Sequence, residues 1–179
     1  MPKPMIEIVD VCNFPEMVPL VAQWHHQEWA HLNPGQSLSD RIEKMAAYLD
    51  QSAPCAKTQD EFPSSSRFVP KLFVAFNAEA RPIGTAALDL QDMDDQPMLS
   101  PWLASVYVVP EMRRQGIAST LIAHAVNFAA SKMGVEQLYL FTPNQRAFYE
   151  GLGWSHLQHL SYYGEDVDLM CYKFSINVQ

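Results

Sequence analysis

The segment Val106–Ala118 restricts this chain more than any other. It reads Val-Tyr-Val-Val-Pro-Glu-Met-Arg-Arg-Gln-Gly-Ile-Ala. An apolar strand must stop at Pro110, because proline removes a ladder donor. A turn follows, and Gly116 opens a long helix. The start of a helix carries unpaired N–H groups and partial positive charge, so it attracts anions. Gly116 lets the backbone approach a bulky phosphate, and Ala118 keeps the first turn small. Arg113 and Arg114 add positive charge. The residues by themselves imply a pyrophosphate cradle at a strand–helix junction.

The rest of the chain supplies elements around that junction. Ile6, Ile8 and Val11 mark a first strand. Asn13-Phe14-Pro15-Glu16 reads as a helix entry, and Pro19 moves the true start to residue 18 or 19. Leu20, Val21, Trp24, Glu28, Trp29 and Leu32 follow at helical spacing until Asn33-Pro34-Gly35. Ser37 and Asp40 form a capping box for a second helix striped by Leu38, Ile42, Met45, Ala46 and Leu49. Residues 52–67, with two prolines and three consecutive serines, read as a mobile loop. Strands are expected at Lys71–Phe76, Ile83–Leu90, Trp102–Val109 and Gln137–Phe141. The long helix runs from Gly116 to Met133 and stops at Gly134. A short helix is expected at Arg146–Leu152. Trp154–Tyr163 and Val167–Phe174 then pair across Gly164-Glu165-Asp166. The order β-α-α-β-β-β-α-β-α-β-β is that of a mixed α/β sheet in one layer with helices over it.

Composition bounds the possibilities. At 179 residues the chain is expected to be one domain, 1–179, able to bury a full core without staples. Its net charge of −8 disfavours nucleic acid as a partner and suits a cationic or amine ligand. Cys12, Cys55 and Cys171 are odd in number and widely spaced. They fit neither a disulfide framework nor a metal finger, so no metal is expected and a reducing cytoplasm is the natural compartment. The N-terminus has no apolar signal region and no run is long enough to span a membrane.

The junction resembles the acetyl-CoA signature of the GNAT N-acetyltransferase superfamily, Gln/Arg-x-x-Gly-x-Gly/Ala, which stands here as Arg113-x-x-Gly116-x-Ala118. Val108-x-Pro110 precedes it at the family's offset. About 30 residues on, Ala147-Phe148-Tyr149-Glu150-Gly151-Leu152-Gly153-Trp154 looks like the helix end of that family. The element order is also that of the family fold, so the resemblance spans most of the chain from residue 69. It implies a mostly antiparallel sheet with a splayed central strand pair and acetyl-CoA as co-substrate. Backbone groups of Val106, Tyr107 and Val108 would hold the pantetheine. Those of Arg113, Arg114, Gln115, Gly116, Ile117, Ala118 and Ser119 would hold the pyrophosphate. Tyr149 falls at the general-acid position. The family's Asn-x-x-Ala-x-x-Leu-Tyr is not in register, since Thr142 and Gln145 occupy the Asn and Ala positions. Asn144 is expected to cap the short helix and touch the cofactor.

The same resemblance puts the acceptor under the first two helices. There Gln23–Leu32 is rich in aromatic and titratable groups, with Trp24/Glu28 and His25/Trp29 paired at i, i+4. Glu28 is the base candidate of that helix. Asp92, Asp94 and Asp95 form a second acidic group, of which at least two should be solvated. If β pairing is regular, Ser105 and Tyr107 lie on the strand face opposite Val106 and Val108. His124 is expected at the surface, and His156 and His159 have no evident partner. The function so implied is acetyl transfer from acetyl-CoA to a primary amine, a small cationic one, by direct attack in a ternary complex. A protein or peptide acceptor and a non-catalytic acetyl-CoA-binding module are the alternatives. The assembly is expected to be a monomer or homodimer.

Overall fold

The computed structural model describes residues 5–50 and 69–175. The 52–67 loop and Cys55 lie outside the described residues. Seven strands form one sheet in the order β1-β2-β3-β4-β5-β7-β6. They are β1 (Glu7–Asp10), β2 (Lys71–Phe76), β3 (Pro82–Asp89), β4 (Trp102–Val108), β5 (Gln137–Thr142), β6 (Ser155–Tyr162) and β7 (Glu165–Lys173). The helices are α1 (Val18–Trp29), α2 (Leu38–Met45), α3 (Ile117–Phe128) and α4 (Arg146–Gly151). The chain order of strands and helices matches the sequence expectation. No helix of the described residues is long and apolar enough to cross a membrane.

Alternation in β2 and β3 divides the core. Leu72, Val74 and Ala87 point to one face, where they meet Val18, Val21 and Ala22 of α1 and Met45 of α2. Phe73, Ala86 and Leu88 point to the other, where they meet Leu121, Ile122 and Ala125 of α3. The sheet is therefore covered on both faces, which explains why β2 and β3 read as near-continuous apolar runs. His124 is half-buried rather than at the surface, because its ring packs edge-on against Phe73 at 4.7 Å.

Several boundaries differ from the expectation for local reasons. α1 begins at Val18 with Pro19 in its first turn. It ends at Trp29, and Ala30–Leu32 tightens into a 3₁₀ turn before Asn33. Ser37 and Asp40 make the capping box in full, with Ser37 Oγ accepting from Asp40 N at 3.1 Å and Asp40 Oδ2 from Ser37 N at 2.9 Å. α3 passes into one π turn at Ala129–Met133 before left-handed Gly134. The last hairpin turns at Tyr163 (φ 48°) and Gly164 (φ 83°), not at Gly164–Asp166. With two left-handed residues the turn is two residues long, so Glu165 already pairs with Tyr162.

Two departures from regular pairing shape the centre. β4 and β5 are parallel but share one register pair, Trp102↔Tyr139, and then diverge. In β4 the pairing with β3 slips, since Thr85 faces Tyr107 whereas Ala87 faces Ala104. One extra residue is accommodated there as a bulge, with Ser105 at φ 53°. Regular alternation is thus broken, and the bulge brings Tyr107 to the face of Ala104, beneath α1.

Candidate active site

A cleft of about 910 Å³ enters between β4 and β5. Its lining includes the start of α3 on one face of the sheet and residues of α1 and α2 on the other. The strand divergence therefore opens a passage through the sheet.

At the α3 end, the first helical bond runs from Thr120 N to Gly116 O at 3.1 Å. The N–H groups of Ile117, Ala118 and Ser119 precede that ladder, and no side chain caps them. The turn before them is held by left-handed Arg114 (φ 62°) and Gly116 (φ 80°). A Cβ on Gly116 would meet nothing within 4 Å, so it would project into open space beside these donors. Free donors with room in front of them fit a diphosphate. Arg113 is already engaged. Its Nε donates to Val108 O at 2.9 Å, its guanidinium lies 5.7 Å from the Tyr107 ring, and its Nη2 is 3.4 Å from Glu28 Oε2.

Along β4, Val109 N reaches Ile83 O and Tyr107 pairs with Thr85. Antiparallel bonding alternates, so Val108 between them turns its N–H and C=O away from β3. That edge faces the divergence from β5. Val106 and Tyr107 also line the cleft.

Tyr149 enters the cleft from α4. It is wedged between Phe148 and Trp154, with ring centroids at 5.2 and 6.0 Å. Burial pushes its phenol well above the usual value, so it stays protonated. Among the described residues its hydroxyl has no protein partner. Asn144 does not cap α4. Gln145 N donates instead to Thr142 Oγ1 at 3.2 Å, while Asn144 Oδ1 only accepts from the Gln145 side chain. Thr142 is the residue in register with the missing asparagine, and its hydroxyl serves the same turn. Asn144 remains on the cleft wall.

On the α1 side, Trp24 stacks on Tyr107 at 5.5 Å and does not pair with Glu28. Glu28 pairs with Arg113 instead. His25 packs against Trp29 at 5.2 Å, as the i, i+4 spacing predicts. His25 is 2% exposed, and burial with the charge of Arg41 lowers its pKa to about 3. The single proton of Thr85 Oγ1 goes to Ser105 O at 2.9 Å. His25 Nε2, 2.9 Å from the same oxygen, is therefore the donor to it. A neutral histidine thus ties α1 to the bulge.

Beyond the bulge lies a polar corner that sequence reasoning mostly missed. Asp89, Asp92, Arg41, Lys44 and Tyr48 all line the cleft. Tyr48 donates to Asp89 Oδ2 at 2.8 Å. Burial raises the Asp89 pKa to about 6, and burial with the Asp89 charge raises that of Asp92 to about 7. Of the three expected acids only Asp92 lines the cleft. Asp94 and Asp95 are exposed, and Asp94 accepts from Tyr163 at 2.8 Å. The one available signal for Asp89 was an acid closing an apolar strand. Tyr48 and Arg41 carried none, because their partners lie far along the chain. Outside the cleft, His156 and His159 do have a partner, since both contact Asp168 Oδ1 at 2.9 and 3.1 Å.

Residues 70–156 match the family model for the acetyltransferase (GNAT) domain. The segment 70–156 thus carries a GNAT domain. Solved structures agree on the fold. The spermidine N-acetyltransferase from Vibrio cholerae, in complex with CoA and spermine, superposes with a TM-score of 0.61 at 18% identity, covering 96% of this chain and 95% of that one. A GNAT-family acetyltransferase from Staphylococcus aureus Mu50 gives 0.59 at 14% identity, covering 94% and 99%. No curated protein matches the chain by sequence. The junction at Arg113–Ala118 and the Tyr149 helix both fall inside the GNAT match.

Proposed function

We propose that this GNAT protein moves the acetyl group of acetyl-CoA onto a primary amine by direct attack in a ternary complex. The observation that carries this reading is the single cleft. It joins an anion-binding helix start to an acid-bearing corner through the divergence of β4 from β5, with Tyr149 between them. The Vibrio cholerae relative named above is a CoA complex of an amine acetyltransferase, which supports the same co-substrate and acceptor class here.

In this reading the N–H groups from Arg114 to Ser119 hold the diphosphate, and Asn144 stands beside them. The cleft-facing backbone of Val106 and Val108 aligns the pantetheine as an added strand. An N–H of the bulged strand donates to the thioester oxygen as negative charge develops there. The acceptor arrives as an ammonium ion, because an alkyl amine has a pKa of about 10.4. It must lose a proton before it attacks. Glu28 is the base candidate of α1, but its carboxylate is paired with Arg113 and ties α1 to the turn before α3. Asp92, with its pKa raised to about 7, is better matched to accepting that proton near neutrality. The amine nitrogen bonds the acetyl carbon, the carbon–sulfur bond breaks, the Tyr149 hydroxyl donates to the departing sulfur, and the second proton shed by the nitrogen returns through water to the Tyr149 oxygen.

Thiol release from acetyl-CoA tests the reading directly. A panel of small amines and peptides should include an acceptor that releases CoA stoichiometrically with acetylated product. Release that occurs equally without any amine, or never, would overturn it.

A further inference from the structure

The polar corner contains groups whose hydrogen bonds are unmade. Among the described residues, Arg41 Nε and Nη2 are closed to solvent and have no hydrogen-bond partner, and the same holds for Gln36 Oε1. Both residues line the cleft. Among the described residues, neither Arg41 nor Lys44 forms an ion pair, although the Asp92 charge is near enough to act on Arg41. Guanidinium nitrogens closed to solvent with their bonds unmade are costly, and proteins rarely tolerate them. The two atoms left bare are also informative. Nε and Nη2 form one edge of the guanidinium, two parallel N–H donors spaced to meet both oxygens of a carboxylate.

We propose that Arg41 is the carboxylate anchor of the acceptor site, so that the amine acetylated by this protein is an amino-acid-like zwitterion. The proposal deepens the acetyl-transfer reading and rests on it. The Arg41 edge takes the carboxylate. Gln36 Oε1 and the carboxylate of Asp92 face the ammonium end of the same molecule. One ligand of this kind satisfies the two donors and the acceptor that the protein leaves open. A simple polyamine would satisfy the acids and leave the Arg41 edge bare beside added positive charge. The net acidity of the chain favours the ammonium of such a ligand, and Arg41 selects among ammonium compounds.

The test is calorimetric titration of the protein saturated with CoA, so that no turnover interferes. The probes are the common L-amino acids, each beside its α-carboxamide and its decarboxylated amine. At least one amino acid should bind, with its amide and amine weaker by about 30-fold or more, the scale of losing one charged hydrogen bond. Arg41→Met keeps the aliphatic stem and removes the fork, so it should erase that preference. Arg41→Lys should not restore it, because a point charge lacks the paired donors. Without ligand, Arg41→Met should melt at or above the wild-type temperature, since it removes unpaired buried donors. Amides or amines that bind as tightly as the acids would overturn the proposal. So would a panel with no binder, a preference that survives Arg41→Met, or a lower melting temperature in that variant. Failure of the acetyl-transfer reading is distinct, since it would show as absent CoA binding or as absent thiol release with every amine.

Discussion

At the scale of single residues, the proposed chemistry rests on groups held in states they would not adopt in water. Tyr149 is buried and protonated, with a hydroxyl that no described residue engages. Tyr149→Phe removes that hydroxyl and little else, so the packing against Phe148 and Trp154 should survive. Losing a positioned proton donor lowers rates by about 10²–10⁴-fold, and a thiolate leaves readily, so kcat should fall by about 10²-fold. The loss should appear in kcat with acetyl-CoA affinity kept, and wild-type kcat on a verified acceptor would make Tyr149 a packing residue. Gly116 offers a separate test. At φ 80° with open space before it, a valine there costs about 1–2 kcal/mol of backbone strain and fills the space assigned to phosphate. Gly116→Val should fold with a slightly lower melting temperature and show no further rise on adding CoA; an undiminished rise would remove the cradle. Both residues were legible in the sequence because strand, turn and helix signals around them are local. Arg41, Asp89 and Tyr48 were not, since what places them in the cleft is packing against segments tens of residues away. Asn144 was misread for a related reason. Which nearby polar side chain reaches the turn before a helix depends on geometry that the letters do not carry; Thr142 Oγ1 accepts from Gln145 N there, and no side chain caps α4.

At the scale of elements, the strands and helices were largely legible, whereas the irregularities that make the cleft were not. Apolar runs in β2 and β3, the capping box of α2 and the glycine stop after α3 are each written in consecutive residues. The bulge at Ser105 is not, because it exists only as a mismatch between β4 and its partner β3. Its effect is large, since it reverses which face Tyr107 occupies and lets His25 of α1 hold the strand through Thr85 of β3. Gly84 shows how closely that region is built. A Cβ there would stand 2.6 Å from the Tyr107 carbonyl oxygen and 3.1 Å from Leu121 Cδ1. The first contact is with backbone that both sheet pairing and the bulge hold in place. Gly84→Ala should therefore cost about 1–3 kcal/mol, the scale of an overpacked core, despite alanine's small size. Chemical denaturation measures this, and an unchanged midpoint would mean that β4 is free to move. The same variant should weaken turnover beyond its effect on folding, because displacing Tyr107 displaces the wall that aligns the pantetheine.

For the whole molecule, the cleft sets a conflict between stability and function that pH can expose. Asp89 and Asp92 have pKa values raised to about 6 and 7, against about 3.9 for an unfolded aspartate. Between those limits the folded state holds more protons than the unfolded state. Stability from these groups must then fall as pH rises from about 4, and level off above about 7. His25 acts in the opposite direction. Its pKa is lowered to about 3 in the fold, so the unfolded state takes up protons first as pH drops below about 6.5. Wild-type stability alone mixes the two effects, so the informative quantity is a difference between variants. Asp92→Asn removes one raised carboxyl and leaves His25 in place. Its stability relative to wild type should increase steadily from pH 4 to pH 7 and be constant above, with a total change of up to about 4 kcal/mol. Turnover should move the other way, since a neutral amide cannot take a proton from an ammonium ion. The variant should be more stable and slower at pH 7, and it should lose the rise in rate that wild type shows as Asp92 ionises. A difference in stability that is flat across this range would mean that Asp92 titrates like a solvated acid and has no special place in the cleft. A variant that gains stability yet keeps the wild-type pH profile would separate the two roles. It would leave Asp92 as a buried charge near the acceptor and move the task of the base to Glu28 or to water.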